Sequence, residues 1–144
     1  MPEQPEIIPI GLCHSLSLRV DENLTVPFVS AAFAGFADMP PVFATAFMVA
    51  FIEWTCMEAL RGHLGPNERT VGTHVDVSHV AATPIGMTVT AEVELVAVDR
   101  RKLRFKVSCR DEAGLIGEGY HERAIIQQDK FMARVLAKAA GTPP

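Results

Sequence analysis

VFATAFMVAFIEWTCMEAL, residues 42 to 60, is apolar around its whole circumference when wound as a helix, so protein must surround it. A carboxylate, Glu53, interrupts its middle. Burying an unpaired carboxylate is so unfavourable that the group finds a partner, shifts its pKa or sits in a cleft built for it. Thr45 lies eight residues earlier, about two turns and roughly 80° away on a helix, so both side chains can border one groove. The rest of the chain reads as packing around this helix.

The 144 residues, 49% apolar and 21% charged, fit one domain spanning 1–144 with one core. A net charge of −4 argues against a nucleic-acid or membrane-surface partner and leaves a small molecule. Glu53 and Glu58 break the only run that approaches a membrane span. The first residues, MPEQPEIIP, are acidic and Pro-rich, the reverse of a basic then apolar leader, and the expected location is the cytoplasm. Cys13, Cys56 and Cys109 are odd in number, widely spaced and set in apolar or alternating stretches, which suits reduced packing residues rather than a disulfide or metal site.

Around the helix, residues 1–9 form an extended arm and CHSLSLRV, 13 to 20, alternates as a strand. Residues 25–41 lack a period yet carry Phe28, Phe33, Phe36 and Met39 among prolines and Gly35. Loops lie on the surface, so this lining either folds over a pocket or partner as a lid or pins the loop to the core; both readings stay open. Pro40 and Pro41 mark the helix start, and Gly62, Gly65 and Pro66 its end. Beyond Gly72 the period becomes two. THVDVSHV places Thr73, Val75, Val77 and His79 on one face. Val89, Ala91, Val93 and Leu95 alternate with polar residues, and so do Leu103, Phe105, Val107 and Cys109. LIGEGYHERAIIQQ is a last strand in which Gly117 and Gly119 permit a close backbone approach or a bulge. Residues 128–139 read as a C-terminal helix.

One buried helix with strands before and after it predicts an α+β fold, the hot-dog architecture, with an antiparallel sheet wrapped around the helix. Such a domain leaves a sheet edge and a helix side uncovered, and homodimerisation would hide both.

Glu53 can be a counter-ion at a dimer contact, His79 a hydrogen-bonded core residue and Thr45 a capping hydroxyl. Together a carboxylate, an imidazole and a hydroxyl supply what attack on an acyl carbon needs: a nucleophile or base, a proton carrier and a hydrogen-bond donor. His74, Asp76, His121 and Glu122 match no zinc spacing, and no metal is expected. Arg100, Arg101, Lys102, Arg104, Lys106 and Arg110 can meet phosphates or simply form a solvated strand face.

PPVFATAFMVAFIEWTCMEAL, GTHVDVSHVAATPIGMTVTAEVELVAVDRRKL and GEGYHERAIIQQDKF resemble the fluoroacetyl-CoA thioesterase family of hot-dog proteins, from about Phe33 to Ala137. The resemblance implies a homodimeric acyl-CoA thioesterase, a hydrolase with no metal and no cofactor. It puts Thr45, Glu53 and His79 at the family's catalytic threonine, glutamate and histidine. Gly72 and Arg123 fall where the family places a glycine backbone and an arginine beside the acyl group, and Phe36 and Met39 fall on its lid. The fluoroacetyl-specific enzyme has phenylalanine at the position of Met39, so the expected substrate is a different or broader set of short acyl-CoA thioesters. A hot-dog enoyl-CoA hydratase and a non-catalytic acyl-CoA-binding module are the alternatives.

Overall fold

A computed structural model describes residues 8–141. Most of the expected arm therefore lies outside the described residues. The elements are strand β1 (Cys13–Arg19), helix α1 (Thr45–Ala59), strands β2 (Glu68–Val77), β3 (Thr88–Asp99), β4 (Lys102–Asp111) and β5 (Gly114–Gln127), and helix α2 (Gln128–Ala139). The five strands form one antiparallel sheet in the order β1-β3-β4-β5-β2. Helix α1 lies across one face. This is the hot-dog arrangement that the sequence pattern predicts.

Strand alternation sets the core. Val89, Ala91, Val93 and Leu95 on β3 and Leu103, Phe105, Val107 and Cys109 on β4 turn inward and are buried against Met48, Phe51, Ile52 and Cys56 of α1. Glu92, Glu94, Lys106, Ser108 and Arg110 turn outward. Burial pushes the thiols of Cys56 and Cys109 up to about 12, so both are inert packing groups. Cys13 departs from that expectation, lying exposed with its thiol donating to the Gly11 carbonyl at 3.2 Å.

Three boundaries move relative to the sequence pattern. Helix α1 begins at Thr45 rather than at the prolines, because Val42 and Phe43 are held in bridges to Pro84 and Thr25. Strand β2 begins at Glu68, before Gly72, and its register shifts between Gly72 and His74. His79 lies beyond the end of β2, so strand alternation does not determine where its side chain points. Gly119 lets β5 approach β2 closely: a Cβ there would overlap the Asp76 carbonyl oxygen.

Two surfaces are unusual. Among the described residues β2 pairs only with β5, which leaves its other edge free, and Val75 is exposed. Ala46, Ala50, Trp54 and Met57 form an exposed stripe on α1, so the described residues do not enclose the helix on every side. Residues 25–41 contain two short 3-10 turns, Val26–Phe28 and Phe36–Asp38, with Phe33 edge-on to Phe36 at 5.3 Å. Phe28, Phe33 and Met39 are about half exposed, so they do not pin the loop to the core of this chain. Among the described residues, no helix is long and apolar enough to cross a membrane.

Candidate active site

The polar groups on the helix side of the sheet gather in two places. Near the start of α1, Thr45 Oγ1 lies 2.6 Å from His79 Nδ1. Thr45 is the first helical residue rather than the cap; Ala44 holds that position and makes no side-chain capping bond. Its hydroxyl is therefore committed to the histidine. His79 Nε2 is shielded from solvent and lacks a hydrogen-bond partner among the described residues. Burial pushes the His79 imidazole below its ordinary value, against a smaller opposing pull from the Ala81 backbone that falls short of hydrogen-bond geometry.

The second cluster sits two turns further along α1. Arg123 is 2% exposed, yet each side of its guanidinium is engaged. Nε donates to Thr70 Oγ1 at 2.9 Å and Nη2 to the Thr70 carbonyl at 2.8 Å, while Nη1 donates to Glu53 Oε2 at 3.0 Å. A planar guanidinium held at three points orients the carboxylate it touches. Glu53 retains 38% side-chain exposure, so one side of the carboxylate is held and the other is open. Gly72 faces the cluster from β2, opposite Arg123 in the ladder. A Cβ at Gly72 would lie 3.4 Å from Glu53 Oε2, 3.5 Å from Arg123 Nη1 and 3.3 Å from His121 Cε1. Glycine keeps the space over the carboxylate clear.

Of the residues singled out from the sequence, Thr45 and His79 meet each other, and Glu53, Gly72 and Arg123 meet each other. No hydrogen bond links the two groups. Eight helical residues separate Thr45 from Glu53 by about 12 Å along the axis, too far for one small substrate group to touch both. Phe36 and Met39 lie on the aromatic loop. Sequence reasoning missed Thr70 as the clamp on Arg123 and considered His121 only as a rejected metal ligand. The signal for His121 was spacing: it stands two residues before Arg123, so both share the inward face of β5.

An open hollow of about 860 Å³ lies on the outer face of the sheet, lined by Ser15, Glu92, Glu94, Lys106 and Tyr120 among others. It contains none of the groups above. Arg104, one of the basic residues considered for phosphate contact, pairs with Glu122 at 3.6 Å and stacks on Tyr120 at 4.2 Å. Among the described residues, no three His, Cys, Asp or Glu side chains are grouped to hold a metal.

A helix laid on a five-stranded antiparallel sheet defines a hot-dog protein, and a clamped carboxylate on that helix with a hydroxyl–imidazole pair at its start are the kinds of groups that acyl transfer uses. The chain belongs to the family of fluoroacetyl-CoA-specific thioesterases, whose model matches residues 20–129. It is 48% identical over 103 residues to the fluoroacetyl-CoA thioesterase of Streptantibioticus cattleyicolor, covering 72% of this chain and 74% of that one. A solved structure of a fluoroacetyl-CoA thioesterase superposes with a TM-score of 0.89 at 41% identity, covering 92% of this chain and 98% of that one. A Thermus thermophilus member of the thioesterase superfamily superposes with a TM-score of 0.82 at 26% identity, covering 94% and 97%.

Proposed function

We propose that the protein hydrolyses short acyl-CoA thioesters to the free acid and CoA. The observation that carries the reading is the carboxylate of Glu53, fixed by Arg123 on one side and left open on the other by Gly72. Held in that way, it is oriented for an acyl carbon or for the water that attacks one. Two routes use the arrangement. Glu53 attacks the thioester carbon, expels the thiolate and forms an anhydride that water opens, or it takes a proton from water as the oxygen adds. His79 carries the proton to the departing sulfur, and Thr45 fixes its ring. The developing oxyanion needs donors, and the candidates are the Gly72 backbone and the uncapped N–H groups at the start of α1. Losing one such donor costs on the order of 3 kcal/mol in comparable sites.

The separation of the two clusters supports a composite site. In our reading two copies pack through the α1 stripe of Ala46, Ala50, Trp54 and Met57 and the free β2 edge. The Thr45–His79 pair of one protomer then faces the Glu53–Arg123 cluster of its partner. The aromatic loop forms the lid, with Phe36 and Met39 over the acyl group. Met39 replaces a stiff ring with a flexible thioether, which favours tolerance over strict fluoroacetyl selection. The same reading places the enzyme in the cytoplasm, where thiols such as those of Cys56 and Cys109 stay reduced.

The test is kcat/KM for acetyl-, fluoroacetyl-, propionyl- and longer acyl-CoAs, read by release of free thiol. Thiol release from several short substrates is expected. A strong preference for fluoroacetyl over acetyl rules out the broader specificity, and hydration of an enoyl-CoA without thiol release rules out the hydrolase.

A further inference from the structure

His121 is 1% exposed, on the inward face of β5 that it shares with Gly117, Gly119 and Arg123, opposite Phe105 of β4. Both ring nitrogens are engaged, and their partners determine the tautomer. Nδ1 lies 2.8 Å from the His74 carbonyl oxygen. A carbonyl only accepts, so Nδ1 carries the hydrogen. Nε2 lies 3.2 Å from Arg123 Nη1, and a guanidinium only donates, so Nε2 presents its lone pair. Nη1 has two hydrogens. One goes to Glu53 Oε2 and the other to His121 Nε2.

We propose that His121 is a positioning residue for thioester hydrolysis: a neutral imidazole, protonated on Nδ1, that accepts from Arg123 and so fixes the guanidinium plane that aims Glu53. The inference rests on the reading of Glu53 as the carboxylate that acts on the thioester. Its geometric origin is the register shift of β2 at Gly72–His74, beside which the His74 carbonyl meets the ring. Without that carbonyl the imidazole could turn an N–H toward Arg123, setting two donors against each other. A protonated ring would do the same. The charged groups acting on His121 are Arg123 and Glu122 from β5 and Glu53 from α1. Burial comes first and Arg123 adds to it; together they outweigh the two glutamates and the His74 carbonyl, and the imidazole is held below its ordinary value.

Two substitutions separate the two nitrogens. His121→Gln keeps an acceptor near the Nε2 position and removes the donor to His74. His121→Asn keeps a donor near the Nδ1 position and removes the acceptor for Arg123. If His121 acts through Arg123, His121→Asn lowers kcat on acetyl-CoA by roughly 10- to 100-fold with KM within about threefold of wild type. His121→Gln then stays within about threefold in both, even where its Tm is the lower of the two. Equal activities, or activities that merely follow Tm, overturn the proposal. Long-range proton–nitrogen correlation spectra of the wild-type protein decide the tautomer without any variant: a protonated Nδ1 and a bare Nε2 support the proposal, and the reverse overturns it. Activity surviving in Glu53→Gln would instead remove the underlying reading of the site, and the nitrogen spectrum would still decide the tautomer.

Discussion

The start of α1 at Thr45 and its middle at Glu53 solve opposite problems with the same kinds of atoms. At Glu53, four of the five N–H groups of Arg123 are taken up by Thr70, His121 and Glu53, and the guanidinium is buried within one chain. At the Thr45 end the hydroxyl–imidazole pair is exposed on one side, and His79 Nε2 has no partner among the described residues. The first arrangement is hydrogen-bonded within one chain; the second leaves a shielded ring nitrogen unengaged among the described residues. A shielded ring nitrogen with nothing to bond is unfavourable unless a substrate or a second subunit engages it. Glu53 and the Thr45 that holds the His79 imidazole stand about 12 Å apart along α1, so on the proposed reading a second copy must bring the carboxylate and the imidazole together.

The largest expected effect tests whether the Glu53 cluster is chemical at all. Glu53→Gln keeps an oxygen for Arg123 Nη1, so the fold should persist by circular dichroism while turnover drops about a thousandfold or more. Near-normal turnover would make the carboxylate a counter-ion only. A mixing experiment asks next whether the two clusters meet across a dimer. Glu53→Gln and His79→Ala homodimers should both be inactive, yet subunit exchange between them should recover about a quarter of wild-type activity, because half the dimers are mixed and each carries one intact site. No recovery after confirmed exchange would put the whole site within one protomer.

Gly72→Ala is a subtler intervention at the Glu53 cluster. The added Cβ would lie 3.3 Å from His121 Cε1, so that ring must give by a few tenths of an ångström, and it would fill the space beside Glu53 and Arg123 at 3.4 and 3.5 Å. A loss in kcat/KM of about tenfold with Tm nearly unchanged is expected. Wild-type activity would show that the space above the carboxylate is not used.

The smallest effect is on stability. His79 and His121 both titrate below their ordinary value of 6.5 in the folded protein, chiefly through burial. As pH falls through that value, the unfolded chain takes up protons first, so their contribution is present above about pH 6.5 and lost below it. Tm should be flat above about pH 7 and fall by roughly 3–5 °C by about pH 5. Replacing His121 with Gln should flatten part of that fall, and an unchanged slope would contradict the burial argument for that residue.

Much of the candidate site was legible without coordinates because it violates local pattern. Glu53 is a charge inside an apolar helix, and His79 sits among valines. Gly117 and Gly119 read as a close approach or a bulge, and the carbonyls of Ser78 and Asp76 lie where Cβ atoms would be, which is the close approach. Other features were hidden because no local rule governs them. The bulge at Gly72–His74 depends on how β2 pairs with β5, and the anchoring of Arg123 depends on Thr70, 53 residues away in sequence.

The sequence by itself determined the layer architecture, since periods of two and of 3.6 dictate which side chains can be buried together. It also singled out Glu53, because an isolated carboxylate in an apolar helix must be accounted for wherever the chain folds. Only the tertiary structure decided the partners. The same helix that places Thr45 and Glu53 eight residues apart gives one to His79 and the other to Arg123. Hydrogen bonds act over about 3 Å, and which groups come within that range is fixed by strand register and loop path rather than by spacing along the chain.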